Sequence, residues 1–302
     1  MPRVSVVMPC YNHARFVDET MRSILKQTLD DLELIVIDDA SKDDSLKILQ
    51  GIARNEARIK IIAQPQNRGP SRARNVGLSA AVGEFVAFCD ADDLWNPDKL
   101  ERQIRLLEQQ PDRDITYCNS KIIDETGRLT GELFTDEFPH PPTESGQLFE
   151  ALCLTNFINT QTVLARRLAL RDRLMFDESL RYAEDWWLWI RLARHHLFIY
   201  DPTPLAFYRV HSQSTARTKQ SGFQKSRCRI GSLNLRAHTD MPTRIKAEIW
   251  YRIGRDLCLL GKRRSGRRFI MKGISFGWTA RLPLPRLARM SACLALEWAG
   301  KT

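Results

Sequence analysis

Short apolar runs alternate with helix-period stretches through the first 120 residues. The pattern predicts strands at Val4–Met8, Leu32–Ile37, Ile59–Ala63, Glu84–Cys89 and Ile115–Cys118, with helices at about 15–27, 43–56, 71–82 and 97–110. Such alternation specifies an α/β fold, a mostly parallel sheet with helices on both faces. Local chemistry supports the boundaries: Ser41 is a candidate N-cap, and Asn96-Pro97 sets a capping side chain before a proline at a first helical position. Residues 119–150 lose the alternation and carry Gly127, Gly131, Pro139, Pro141, Pro142 and Gly146, so a weak hairpin and then a loop of the kind that covers sites are expected. A second structured block follows, with strand-like Thr160–Ala165, a helix across Glu184–Arg194 and strands at Leu197–Tyr200 and Leu205–Arg209. From about residue 213 the pattern is helical and basic.

Charge divides the chain in the same place. The overall +10 hides 21 Lys/Arg against 5 Asp/Glu in residues 201–302, which leaves 25 against 31 in residues 1–200. An acidic body therefore carries a basic tail. The length of 302 residues suits one large α/β domain with an appendage, or two ordinary domains. Seven widely spaced cysteines include no Cys-x-x-Cys pair and several sit in apolar strands, so buried thiols in a reducing compartment are expected. Met1-Pro2-Arg3 passes directly into the first strand with no signal peptide visible, and no uncharged apolar window is long enough to span a membrane. The expected location is cytoplasmic.

Candidate chemistry gathers where the predicted strands end. Glu84–Cys89 runs straight into Asp90-Ala91-Asp92-Asp93. Carboxylates this close repel unless a cation lies among them, and Mg²⁺ or Mn²⁺ takes one or two carboxylates together with phosphate oxygens. An Asp-x-Asp alone is weak, since Asp112-Arg113-Asp114 has the same spacing. That copy precedes its strand, whereas ligands of open α/β sheets gather at carboxyl ends. Pro9-Cys10-Tyr11-Asn12 follows the first strand, where the proline is expected to halt it. Asp38-Asp39 follows the second, where a carboxylate can accept from a base N–H or a ribose hydroxyl. Asn67–Asn75 opens a helix with Arg68, Arg72 and Arg74, which either pair with phosphate or lie solvated on the helix face. Glu184 and Asp185 precede Trp186, Trp187 and Trp189; first-turn acids favoured by the helix dipole explain Glu184 better than Asp185. His211 follows the last strand and matters only if the fold returns it to the carboxylates. A Gly-rich dinucleotide fingerprint and a Gly-x-x-x-x-Gly-Lys-Ser/Thr loop are both missing, which argues against hydride transfer and ATP hydrolysis by those routes.

In this order and spacing, Val4–Asn12, Asp38-Asp39, Asn67–Gly77, Asp90–Asp93 and Glu184–Leu192 resemble the family 2 glycosyltransferases across about residues 1–212. The resemblance implies a nucleotide-binding α/β domain of the GT-A type over 1–212, a basic helical extension over 213–302, and inverting transfer of a sugar from a nucleoside diphosphate. It further implies that Pro9, Tyr11, Asn12 and Asp39 line the nucleotide, together with Arg74, a position at which the family varies and for which Arg72 could serve instead. Asp90 and Asp92 then match the metal-site motif, Asp92 as the direct Mn²⁺ or Mg²⁺ ligand and Asp90 as a contact to ribose or metal-bound water, and His211 matches a late metal or diphosphate ligand of some relatives. Asp185 matches the general base, with Glu184 and Trp186 on the acceptor side. A UDP-sugar is favoured because Asp39 can accept from the imide N–H of uracil, although thymine presents the same edge. Processive synthases of this broad group carry Gln-x-x-Arg-Trp and several membrane helices. This chain has neither, so a single addition to a glycan, lipid-linked or other acceptor is expected.

The basic tail remains apart from that site. Lys262-Arg263-Arg264-Ser265-Gly266-Arg267-Arg268 precedes Phe269, Ile270, Trp278, Leu282, Leu284, Leu287, Leu294, Leu296 and Trp298 at roughly helical spacing. Residues 262–298 either lie on an anionic membrane surface, making the protein peripheral on the cytoplasmic face, or pack on the catalytic domain with a solvated basic face. Nucleic-acid binding is not expected, given the acidic body and the lack of a recognised motif. The rival to catalysis is a non-catalytic membrane- or nucleic-acid-binding protein that works through this extension.

Overall fold

The computed structural model describes residues 1–137, 145–170, 175–214 and 220–298. Its strands are β1 (Val4–Cys10), β2 (Leu32–Asp38), β3 (Ile59–Ala63), β4 (Phe85–Phe88), β5 (Leu94–Trp95), β6 (Ile115–Ile123), β7 (Leu129–Leu133), β8 (Leu164–Arg166) and β9 (Phe198–Arg209). The helices of the first 200 residues are α1 (Val17–Leu25), α2 (Ser45–Ala53), α3 (Pro70–Ala80), α4 (Lys99–Gln109), α5 (Phe149–Leu154) and α6 (Glu184–Ala193). The chain forms two compact units, one of residues 1–149 with 156–212, the other of residues 150–155 with 213–302.

The first unit is built on one nine-stranded sheet in the order β3-β2-β1-β4-β8-β6-β9-β5, with β7 paired to β6. From β3 to β4 every pairing is parallel, and β6 and β9 are also parallel. β1 and β2 are apolar at nearly every position because helices cover both faces. Val6, Met8, Leu34 and Val36 join Met21 and Ile24 of α1 in the main core. The chain runs outward from β1 to β2 and β3, then returns to add β4 on the opposite side of β1. That reversal is the switch point at which open α/β sheets bind ligands.

Several local expectations change in the fold. Pro9 does not halt its strand, since β1 continues to Cys10 with Pro9 opposite Ile37. The β4 partner ends at Val7 opposite Phe88, so no neighbour requires the N–H that proline lacks. Ser41 does not cap α2, which begins at Ser45; Asp43 accepts from the Ser45 N–H at 3.0 Å instead. α4 begins at Lys99 rather than at Pro97, with the Asn96 carbonyl accepting from the Lys99 N–H. Thr160–Thr162 is a 3₁₀ turn ahead of β8. The two predicted strands after α6 are one strand, β9, whose register against β6 shifts around Asn119 and Pro204. The weak hairpin is β6–β7, and part of the loop expected after it, 138–144, lies outside the described residues.

The second unit contains the helices Gln220–Ala237, Thr243–Leu259, Arg263–Thr279 and Leu284–Trp298. Ile230, Ile249, Ile253, Ile270, Leu287 and Met290 are among its buried apolar side chains. No described helix is long and apolar enough to cross a membrane.

Candidate functional site

The ends of β1, β2 and β4 lie side by side at the switch point. At the end of β1 the backbone of Asn12 turns into the left-handed region, φ 58°, which asparagine tolerates better than most residues. Its N–H donates to Ser41 Oγ and its Oδ1 accepts from the Lys42 N–H at 2.7 Å, so it ties β1 to the loop after β2. Tyr11 beside it remains exposed. Asp39, buried after β2, accepts from the Arg68 N–H at 3.0 Å and the Gly69 N–H at 2.7 Å. The residue expected to read a base therefore also fixes the start of α3. A carboxylate offers about four lone-pair sites, so acceptor capacity remains. Gly69 there has φ 88°, a conformation that suits glycine.

Three successive carboxylates after β4 take three different partners. Asp90 Oδ1 accepts from Arg74 at 2.6 Å, and Asp92 Oδ2 faces His211 Nε2 at 3.0 Å. Asp93, fully buried, accepts from the Arg209 N–H at 2.8 Å. Burial pushes the Asp92 carboxyl up, but the hydrogen bond from His211 and the charges of His13 and His211 outweigh it and hold it below the usual range. Burial drives Asp93 the other way, well above that range, helped by the charges of Asp92 and Asp90. β9 thus returns His211 to the carboxylates. His211 is buried against Phe16, with ring centroids 4.9 Å apart.

Arg74, one of the three arginines the sequence offers around the start of α3, is the one that joins the candidate carboxylates. It is 5% exposed and donates to Asp90 and, also at 2.6 Å, to Glu184 Oε1, while its guanidinium lies over the Phe176 ring. Gly77, one turn further along α3, allows this approach: a Cβ there would stand 2.4 Å from Val7 Cγ1, so α3 presses directly on β1. Burial disfavours the charged guanidinium, but Asp90 and Glu184 overcome that and raise its pKa. One cation therefore bridges the carboxylates after β4 and the first turn of α6.

α6 begins from Ala183 in the left-handed conformation, φ 56°, which brings Glu184 and Asp185 into its first turn. Burial, helped by the charge of Asp185, pushes Glu184 up to about 7 against the pull of Arg74. Burial also raises Asp185, opposed by Arg74 and by hydrogen bonds to its carboxylate. Asp185 Oδ2 accepts from Thr160 Oγ1 at 2.9 Å and Asn156 Nδ2 at 3.2 Å, and Oδ1 from the Trp186 N–H at 2.7 Å. The carboxylate is held, and it is not fully buried. The aromatic surface beside it is mostly internal: Trp186 and Trp187 are each 7% exposed and Trp189 is fully buried.

Asn156, Thr160 and Arg209 escaped sequence reasoning. Asn156 falls in an irregular segment with no periodic signal, and Thr160 opens a stretch whose pattern reads as a strand. Arg209 carried a signal, a cation at an apolar strand's end two residues before His211. Fully buried, it donates to the Asp92 carbonyl at 2.7 Å and to Glu19 Oε2 at 2.7 Å, which fixes the carboxylate loop from behind.

Among the described residues no three of His, Cys, Asp and Glu converge as a ready-made metal cage. Asp92 and His211 form a facing pair, with Asp90 nearby in sequence and held by Arg74. An oxygen and nitrogen donor set suits Mn²⁺ or Mg²⁺, which are ordinarily held by one or two protein groups with phosphate oxygens completing the shell.

Comparison with known proteins agrees with this architecture. Residues 5–172 match the profile of Glycosyl transferase family 2. An uncharacterized glycosyltransferase of Haemophilus influenzae is 32% identical over 218 residues, covering 71% of this chain and 68% of that one. One from Rickettsia conorii is 34% identical over 191 residues, covering 63% of this chain but only 30% of its own. Among solved structures, S. aureus TarS in complex with UDP-GlcNAc superposes with a TM-score of 0.68 at 22% identity, covering all of this chain and 88% of that one. The Pyrobaculum calidifontis mannosyltransferase PcManGT in complex with GDP-Man and Mn²⁺ gives 0.66 at 18% identity, covering 99% and 87%. The fold is that of the GT-A glycosyltransferases.

Proposed function

The chain belongs to glycosyl transferase family 2, and on that premise we propose that it transfers one sugar, with inversion, from a nucleoside-diphosphate sugar to a hydroxyl of a glycan or lipid-linked acceptor. The observation that carries this reading is the Arg74 bridge, which draws Asp90 and Glu184 to one guanidinium at 2.6 Å each. It ties the donor-side carboxylates to the helix that bears Asp185. The site chemistry then divides between the two ends.

At the donor end, Tyr11, Asn12 and Asp39 line the nucleotide, and the remaining acceptor capacity of Asp39 favours a uracil imide N–H. Neighbours that bind UDP-GlcNAc and GDP-Man support a nucleotide-sugar donor. Asp92 and His211, with Asp90, would hold Mn²⁺ or Mg²⁺; the bound cation supplies charge neutralisation for the departing diphosphate. Arg209 and Asp93 keep the carboxylate loop in place.

At the acceptor end, Asp185 is the general base. Thr160 and Asn156 fix its Oδ2, and burial raises its pKa toward the working pH, which strengthens it as a proton acceptor. The carboxylate takes the acceptor hydroxyl's proton as that oxygen bonds to the anomeric carbon. The bond from that carbon to the diphosphate oxygen breaks, its electron pair leaves with the nucleoside diphosphate, and single displacement inverts the configuration.

The test is Asp185→Asn. Transfer should fall by on the order of 10²–10⁴-fold, the usual contribution of a positioned base. UDP-sugar affinity, read by calorimetry with Mn²⁺ present, should stay within about twofold, since this residue lies off the donor end. Normal turnover by this variant would overturn the assignment.

A further inference from the structure

The stretch from residue 257 to residue 296 holds nine Lys/Arg and no Asp or Glu. The glycosyl-transfer site uses none of them. The helix Arg263–Thr279 shows how they are displayed. Gly266, Ile270, Gly273 and Gly277 form one buried face at helical spacing. A side chain at either of two of these glycines would collide with the preceding helix: a Cβ on Gly266 would stand 2.3 Å from Cys258 Sγ, and one on Gly273 would stand 2.8 Å from the Ala247 carbonyl oxygen. The glycines therefore fix which way the helix faces. Arg264, Arg268, Met271, Ser275 and Trp278, at i, i+4, i+7, i+11 and i+14, are turned outward and are all exposed.

This outward face is amphipathic along its length. Its first half is cationic, and neither Arg264 nor Arg268 forms an ion pair among the described residues. Its second half carries Met271, 46% exposed, and Trp278, 61% exposed, on either side of Ser275, and Leu284 at the start of the next helix is 70% exposed. The sequence pattern had grouped these residues with Ile270 and Leu287, yet the latter two are buried in the unit's own core. Only part of the apolar set is spent on packing. A purely solvated basic face explains the arginines and leaves an exposed tryptophan beside exposed aliphatic groups unaccounted for. A polyanion such as nucleic acid would use the arginines, but offers nothing aliphatic for Met271 and Leu284.

We propose that the Arg264–Trp278 face of the second unit docks on an anionic lipid bilayer. Arg264 and Arg268 lie among the phosphate headgroups. Met271 and Trp278 reach the acyl boundary, where an indole places its ring and its N–H at the level each prefers. The docking is reversible and peripheral, because a few apolar side chains and a basic patch fall far short of an inserted helix.

Co-flotation of the full chain with vesicles tests this, and it requires no turnover, so its outcome is separate from that of the glycosyl-transfer reading. Phosphatidylcholine vesicles containing phosphatidylglycerol should carry the protein, and pure phosphatidylcholine vesicles should not. Arg264→Gln with Arg268→Gln should weaken partition about 25-fold, at roughly fivefold for each basic residue near an anionic surface. Trp278→Ser should weaken it about tenfold, from the loss of its apolar area in the boundary. Both variants alter exposed side chains and should melt with the parent protein. No binding to anionic vesicles would overturn the proposal. So would binding that Trp278→Ser leaves unchanged and that a DNA oligonucleotide competes away, the signature of a general polyanion surface.

Discussion

Asp90-Ala91-Asp92 and Asp112-Arg113-Asp114 share their spacing, and in each the last aspartate meets a histidine. Asp92 faces His211 Nε2 at 3.0 Å and Asp114 faces His196 Nδ1 at 2.7 Å. The surroundings separate them. The first pair follows β4 at the switch point, its His211 side chain 5% exposed, with Arg74 on Asp90 and Arg209 behind the loop. The second precedes β6 away from the switch point; His196 is 20% exposed and Asp112 has no ion pair among the described residues. Three residues and a histidine make a side-chain contact. The carboxyl end of a parallel strand and a buried arginine bridge are what make a site.

The strongest challenge to this contrast is Asp92→Asn against Asp114→Asn. The first should lower kcat/KM on the order of 10³-fold, with Mn²⁺-dependent donor binding lost, as expected when a charge-stabilising group is removed from a transferring centre. The second should leave kcat/KM within about twofold, in keeping with the small worth of partly exposed pairs. Arg74→Met removes the bridge that the second copy lacks. It leaves Glu184 buried without its counter-charge, so urea unfolding should report a loss of about 3–5 kcal/mol. His211→Gln should weaken Mn²⁺ affinity by about 10–100-fold, whereas His196→Gln should not change it. The smallest effect is expected from Thr160→Val. A base must be ionised to work, so transfer falls as pH drops through the raised Asp185 pKa. Thr160 donates to the ionised form; without it that pKa rises further, and the acid limb of the kcat/KM profile should move to higher pH. A limb that stayed in place would detach Thr160 from the base.

Much of the fold was legible because burial on both faces writes an apolar run that periodicity detects. Ile59–Ala63 was predicted to the residue, and β1, β2 and β4 were placed within two residues of their observed ends. Signals failed where a local rule met a tertiary demand. Pro9 stays in its strand because β4 stops short of it. Thr160 turns through a 3₁₀ helix and supports Asp185. The same limit applied to the site. Carboxylates at strand ends announced themselves, but Arg74 read as one of three helix-face arginines. Its choice depends on α3 pressing on β1 at Gly77, a contact between segments far apart in sequence.

The sequence by itself determined the alternation of strands and helices, the position of Asp90 and Asp92 at the end of an apolar strand, and the segregation of positive charge into the last third. Each of these is local, a matter of periodicity and composition. Only the tertiary structure decided which Asp-x-Asp meets a buried arginine and that β9 carries His211 back to Asp92. Those are distances between residues separated by 16 to 119 positions, set by strand order and helix packing, which the pattern along a chain does not record.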